Sequence, residues 1–341
     1  MILRTIHIGL SGRGQWLLET IAKETRFRPV ALVDANTTLA RTAQYRLGAE
    51  AGHKNVPVFS GVTGALSQVE ADAAIICTPT RTHLDTARLA MSANQHVLLD
   101  RPLTHDWAES NALVGEADTA WLKLAVAQEQ RYTSVEQTIS YILNKPDHPY
   151  HPGAIRMVDF VNHRYRPEPG DWDYPYAAVW DVACDHMDSL ARWLGNAKRV
   201  TARSYLAPWS HYVHEANLSA FIEYENGAAC NYILTNDATM QQWRVTLQGD
   251  RGGLVLTNHE RLRFYPKPGQ SLGSSEAESI ESELMDVPDP AWSIVDDLFR
   301  YIVEDVEPGI SGKRNLETLR MCEALIRSAK NKRPVELSEL K

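Results

Sequence analysis

The first 130 residues alternate short apolar runs with amphipathic stretches. "TIHIGL" is followed by "SGRG" and the helical "QWLLETIAKET"; "PVALVD" is followed by "TTLARTAQYRLG". "VPVF", "AAIICT" before "HLDTARLAMSAN", "HVLLD" before "DWAESNALVGEAD" and finally "KLAVAQE" continue the series. Strands that are apolar throughout, separated by helices, predict a parallel sheet covered on both faces.

The pattern changes after about residue 150. "AIRMVDFVNHRY" is a longer strand with alternating polarity, and "WDVACDHMDSLARWLG" reads as one helix ending at Gly195. "NLSAFIEYENGAACNYILTN" predicts a hairpin turning at Asn226-Gly227. "WRVTLQGDRGGLVLTNHERLRFYP" predicts two more strands around glycines, and the polar "PKPGQSLGSSEAESIESE" a loop. "IVDDLFRYIVED" and "LETLRMCEALIRSAK" have helical periodicity. Alternating strands of this length predict a mainly antiparallel sheet with one open face. The expected fold is α/β: a Rossmann domain over 1–128, then an α/β domain with a large open, mainly antiparallel sheet over 129–341. The last helix is expected to pack back toward the first domain.

At 341 residues the chain is long enough for two such domains. A net charge of −8 gives no basic footprint for nucleic acid. No apolar run approaches a membrane span, and no signal peptide is read at the N-terminus. Cys77, Cys184, Cys230 and Cys322 form neither a CxxC pair nor zinc spacing. Reduced thiols in a cytoplasmic protein are therefore expected.

Chemistry first shows itself in "IGLSGRGQW". Gly12 and Gly14 lie between the first strand and helix, with Arg13 and Gln15 beside them. Glycines there let the backbone approach a pyrophosphate at the helix N-terminus; in this register the third fingerprint position is Leu17. Asp34 ends the second strand, where an acid binds the adenosine ribose hydroxyls and repels a 2′-phosphate. The expected cofactor is NAD rather than NADP. An ordinary turn, with Asp34 as a capping residue, is the competing explanation.

The glycine turn, "CTPTRTH" and "LLDRPL", in that order, resemble the Gfo/Idh/MocA family of NAD(P)-dependent oxidoreductases. The resemblance extends to the closing "SAKNKRPVEL". It implies hydride transfer at a hydroxyl of a sugar, inositol, polyol or related compound, and a homodimer or homotetramer built through the open sheet. It also implies that Thr78, Pro79 and His83 line the cofactor cleft. The family's Glu-Lys-Pro, its proline often cis, is matched here by Asp100, Arg101 and Pro102. Arginine keeps the charge of the family's lysine but does not give up a proton in the working range.

The family's Asp, His and Asp on the active-site helix fall on Asp181, Asp185 and Asp188, so Asp185 stands at the usual histidine. His186 is one residue late, which on an α-helix turns it roughly 100° away. Asp181, Asp185 and Asp188 share a face of a regular helix. Three readings compete. Asp185 is a general base facing the substrate, with Arg101 as its electrostatic partner and Asp181 beside it; or the face binds a metal or polar group; or Asp181 caps the helix and Asp188 pairs with Arg192. No metal is expected. The resemblance places Arg131, His163, Tyr165, Trp172 and His186 among candidate substrate contacts, and His163 is a second candidate base. A dinucleotide-binding protein without hydride transfer, acting as a ligand sensor or partner subunit, and an enzyme that retains NAD for elimination or hydrolysis are the alternatives.

Overall fold

The computed structural model describes residues 1–50, 52–166, 168, 174–268 and 279–340. The contacts divide it into two units. One comprises Met1–Glu129 and Pro288–Leu316; the other comprises Gln130–Val287 and Glu317–Lys341.

In the first unit, β1 (Leu3–Ile8), β2 (Phe27–Val33), β3 (Val58–Phe59), β4 (Ala73–Ile76), β5 (His96–Asp100) and β6 (Leu124–Ala127) pair in the order β3-β2-β1-β4-β5-β6. All these pairings are parallel. Between them run α1 (Arg13–Lys23), α2 (Thr37–Glu50), α3 (Val62–Gln68), α4 (His83–Ser92) and α5 (Trp107–Thr119). Every residue of β4 and β6 is buried, as strands covered on both faces require. The order reverses between β1 and β4, and in open α/β sheets ligands bind at the carboxyl ends of the strands beside such a switch point. Asp106 starts α5 by accepting the Glu109 N–H at 2.9 Å.

The second unit holds α6 (Ser134–Leu143), β7 (Ile155–Tyr165), α7 (Cys184–Leu194), β8 (Ala197–Tyr205), β9 (Asn217–Tyr224), β10 (Ala229–Thr235), β11 (Asp237–Gly249), β12 (Gly252–Thr257), β13 (Arg261–Pro266) and β14 (Ile280–Ser282). The chain returns to the first unit with α8 (Pro290–Val303), then runs through α9 (Gly312–Asn331) to β15 (Val335–Glu336). The sheet order is β14-β13-β12-β11-β7-β10-β9-β8-β15. Only β7 and β10 pair in parallel among its described strands. The hairpin between β9 and β10 turns where "ENG" predicts, with Gly227 at φ +83°. Helix α7 stops at Gly195, φ +81°, whose N–H donates to Ala191. Most of the polar loop expected after Pro266 lies outside the described residues.

Where an unbroken second domain from 129 is expected, residues 288–316 group with the first unit. Phe299 packs edge-on against Phe27 at 5.9 Å, and Asp296 accepts from Arg26 at 2.7 Å. The Val126 N–H donates to Ile310 at 2.8 Å, and Ser311 bridges Ala125. These contacts lie far apart in sequence, so helical periodicity alone does not reveal them.

Candidate functional site

The turn after β1 is set by two glycines. Gly9 has φ +86°, and a Cβ there would lie 2.5 Å from the Cys77 carbonyl oxygen. A Cβ on Gly14 would lie 2.0 Å from the Gly9 carbonyl oxygen. Gly9 makes the tight turn and Gly14 the close approach of helix to strand, which are the first and third roles of a dinucleotide fingerprint. The register is therefore Gly9-x-Ser11-x-x-Gly14. This corrects the reading that begins at Gly12 and ends at Leu17, a fully buried core residue. The missed signal was the one-three-six spacing with serine in the middle place. Gly12 is exposed at φ +48°, with no atom within 4 Å of where a Cβ would stand. It precedes α1 without any side-chain cap. Open ground at an uncapped helix N-terminus suits a pyrophosphate.

Asp34 follows β2 beside this turn. Its Oδ2 accepts the Leu10 N–H at 2.9 Å and its Oδ1 the Asn36 N–H at 2.8 Å. Two backbone donors fix the carboxylate while leaving lone pairs for a ligand hydroxyl. The uncapped turn and the pinned acid fit a dinucleotide.

At the carboxyl ends of β5 and β6, Arg13 is the organiser. Its Nε donates to Asp100 Oδ1 at 2.5 Å and its Nη2 to the Ala127 carbonyl at 2.6 Å, and it pairs with Glu129. Asp100 Oδ1 also accepts the Arg101 N–H at 2.8 Å. The Arg101–Pro102 peptide is cis. Gln15 instead donates along α1 to Glu19 at 2.7 Å. Thr78 accepts from the Thr82 hydroxyl at 2.9 Å, and Pro79 is exposed beside it.

His83 has no accessible surface. Its Nδ1 faces the Pro102 carbonyl at 2.9 Å and its Nε2 the Thr78 carbonyl at 2.8 Å. Burial holds its pKa below the ordinary value, so near neutrality the ring is uncharged and donates one N–H. This corrects the expectation that His83 touches the cofactor: it has no surface to offer one and lies buried between the loops that carry Thr78 and Pro102.

In the second unit, the acidic helix is not regular. Val179–Ala183 forms a π-helical turn before α7. Its i→i+5 bonding places an extra residue in the turn, so the i,i+4 spacing that would stack Asp181 on Asp185 does not apply. Asp181 lies inside this turn and accepts from the Tyr174 hydroxyl; the cap position is Ala178, not Asp181. Asp185 is buried. Asp188 accepts from Arg131 at 2.5 Å and from the Thr318 hydroxyl at 3.1 Å. It does not pair with Arg192, which reaches Glu136 at 3.3 Å and Ser140 at 2.6 Å. Tertiary partners replace the i,i+4 pair because α6, α9 and Arg131 lie against the helix. Arg131 is thus held in an ion pair on Asp188.

His186 is buried, with Nδ1 2.7 Å from the Tyr232 hydroxyl and Nε2 3.2 Å from Asn162 Nδ2. It belongs to the core between α7 and the sheet, which corrects its place among substrate contacts. Asn162 faces α7; His163, by strand alternation, faces the opposite side of β7, and Tyr165 shares that side. His163 is therefore not on the face of the aspartate helix, and the reading of it as a substitute base is corrected. Trp172 lies outside the described residues. No group of three or more histidine, cysteine, aspartate or glutamate side chains suited to a metal occurs among the described residues.

Two family models match the chain. The Gfo/Idh/MocA model described as an oxidoreductase family's NAD-binding Rossmann fold covers residues 3–128, and the model for the family's C-terminal alpha/beta domain covers 157–337. A D-xylose 1-dehydrogenase (NADP(+)) 2 of Haloferax volcanii is 23% identical over 88% of this chain and 91% of its own. An oxidoreductase from Agrobacterium radiobacter, solved with NAD+, L-tartaric acid and magnesium, superposes with a TM-score of 0.80 at 16% identity, covering 100% of each chain. The WlbA dehydrogenase from Bordetella pertussis, solved with NADH and UDP-GlcNAcA, gives 0.79 at 21% identity, covering 98% of each. At these identities the solved structures establish a shared fold.

Beneath α7 sits Glu136, fully buried on α6, accepting the Ser189 hydroxyl at 2.7 Å. Burial pushes its pKa up to about 7, against the pull of Arg192 and Ser189 and with a push from Asp188. The folded pKa lies above that of an unfolded glutamate. Stability from this group is therefore full below the unfolded pKa and is lost as pH rises through about 7. Urea unfolding between acid and mildly alkaline pH should show wild type losing roughly 3 kcal/mol relative to Glu136→Gln as the pH rises. A difference between the two that does not vary with pH would contradict the assignment.

Proposed function

The chain belongs to the Gfo/Idh/MocA oxidoreductase family, and we propose that it transfers hydride between NAD and a hydroxyl-bearing carbon of a sugar, inositol, polyol or related compound. The observation that carries the cofactor half is Asp34, pinned by Leu10 beside the Gly9–Gly14 turn. The substrate half draws on the xylose and UDP-sugar chemistry in the names of relatives that span nearly the whole chain. When bound, NAD supplies the hydride acceptor.

The chain's own residues have the following roles in this reading. Asp34 accepts from the ribose hydroxyls and disfavours a 2′-phosphate. The backbone around Gly12, Arg13 and Gly14 receives the pyrophosphate, with Gln15 on the same first turn. Thr78, Pro79 and Asp100 line the strand ends that receive the nicotinamide half. Arg101 keeps its positive charge throughout and stabilises negative charge developing on the substrate oxygen. Asp185, a buried carboxylate, takes the hydroxyl proton. Asp181 and Arg131 orient the substrate. We assign the protein to the cytoplasm on the ground that its four cysteines are free thiols. No described helix is long and apolar enough to cross a membrane.

The open face of the second sheet exposes Met157, Phe221 and Ile233. Apolar side chains on one sheet face support a homo-oligomer that covers them. Light scattering should give a dimer or tetramer at micromolar concentration, and a monomer would refute this.

NADH should bind more tightly than NADPH, by about tenfold or more, and Asp34→Ala should erase most of the difference. Equal affinities in wild type would remove the basis for NAD. With NAD bound, pooled sugars, inositols and polyols should yield NADH by absorbance. Asp185→Asn should slow that step about a hundredfold or more while leaving NADH affinity unchanged. An unchanged rate would exclude Asp185 as the base, and absence of NADH from any pool would favour the ligand-sensing alternative.

A further inference from the structure

Helix α7 holds a serine between two acceptors. Ser189 is buried one turn after Asp185. Its Oγ is 2.7 Å from Glu136 Oε1 on α6 and 3.2 Å from the Asp185 backbone carbonyl. A hydroxyl has one proton, so it donates to one of the two at a time. The protonation state of Glu136 decides which.

When Glu136 is ionised, the nearer and charged acceptor takes the Ser189 proton. The other carboxylate oxygen, Oε2, accepts from Arg192 at 3.3 Å. When Glu136 takes up a proton, that proton goes to Oε1, because Oε2 faces the Arg192 N–H. Oε1–H then donates to Ser189 Oγ, and the serine proton turns to the Asp185 carbonyl. That carbonyl already accepts the Ser189 N–H of the helix. A serine bonded back to the carbonyl four residues earlier bends a helix, here at Asp185. Among the described residues, the charged groups facing Glu136 are Arg192 and Asp188 of α7, with Gln130 as a neutral neighbour. Asp188 is held in turn by Arg131 and by Thr318 of α9. Burial, opposed by Arg192 and Ser189, brings the Glu136 transition to about 7, so both states occur near neutrality.

We propose that Glu136 and Ser189 form a proton switch that sets the position of Asp185, with Glu136 a positioning residue for hydride transfer. The functional half rests on the reading of Asp185 as the base. In the ionised state α7 is free of the extra bond at Asp185; in the protonated state it carries that bond and bends. The ionised state is the active one. Negative charge beneath α7 disfavours a second charge on Asp185 and so strengthens it as a proton acceptor.

The Asp185 carbonyl can be followed directly. With carbonyl-13C aspartate and 15N histidine, only Asp147–His148 and Asp185–His186 give carbonyl–amide correlations. NMR of the full chain without cofactor follows that carbonyl against pH in wild type, Glu136→Gln and Ser189→Ala. Thermal unfolding confirms that each is folded. In wild type the carbonyl shift should move with a midpoint near 7. In Glu136→Gln, whose amide donates to Ser189 as the protonated acid does, it should stay at the wild-type acid position. In Ser189→Ala it should not follow the Glu136 transition. Titration of His186 itself would survive in both variants. Single-turnover NADH formation, with the substrate identified from the pools, should rise about threefold or more through the same midpoint in wild type and stay flat there in both variants. The switch is overturned if the wild-type carbonyl does not move near 7, or moves equally in either variant. A carbonyl that moves while the rate stays flat overturns the positioning role. If no pool yields NADH, the oxidoreductase reading fails instead, and the carbonyl titration still decides the switch.

Discussion

Gly14 sits so close to the Gly9 carbonyl that no side chain fits between them, and the chemistry of the first unit depends on that approach. It brings the first turn of α1 against the end of β1. Gly12 is then exposed ahead of an uncapped helix start. The same turn puts the Leu10 N–H within reach of Asp34, and Arg13 within reach of the ends of β5 and β6. The glycines matter less for flexibility than for the space they leave empty. At Gly12 the ground ahead of the uncapped helix start is open.

A different constraint governs the second unit: buried charge must be paired. Asp188 with Arg131, and Glu136 with Arg192, are largely withdrawn from solvent. Removing one member of such a pair leaves the other stranded, which is costly, whereas the intact pair contributes little net stability. The pairs hold α7 to its neighbours in one arrangement. The π turn ahead of α7 sets Asp181 out of the helical stacking and against Tyr174. Turns of this type often occur at functional sites. Here the turn divides the three aspartates: Asp188 is held by Arg131 and Thr318, and Asp181 by Tyr174.

The second sheet separates roles by face. Along β7, Val158, Phe160 and Asn162 are buried toward α7, while Met157, His163 and Tyr165 alternate to the other side. A single-residue step along a strand thus moves a side chain from the core beside the aspartate helix to the open surface. That step separates His163 from the acids of the neighbouring helix.

Alternation of apolar runs with helices determined the parallel first sheet, because a strand buried on both faces has no polar positions to spare. Period-two patterning likewise determined the open second sheet, and Asp34 was visible as an acid ending a strand. "DRP" was legible as an unusual corner, since two charges and a proline end an apolar strand. Tertiary structure decided what periodicity could not express. It moved the fingerprint to Gly9-x-Ser11-x-x-Gly14, because only the packing shows which glycines leave no room for a Cβ. It took Asp188 from Arg192 and gave it to Arg131 and Thr318, because a buried carboxylate takes the donors that packing brings to it. It buried His83 and His186 and turned His163 outward. A histidine reads the same in sequence whether it meets a ligand, a carbonyl or a neighbouring ring; the surroundings that distinguish these roles come from segments distant in the chain.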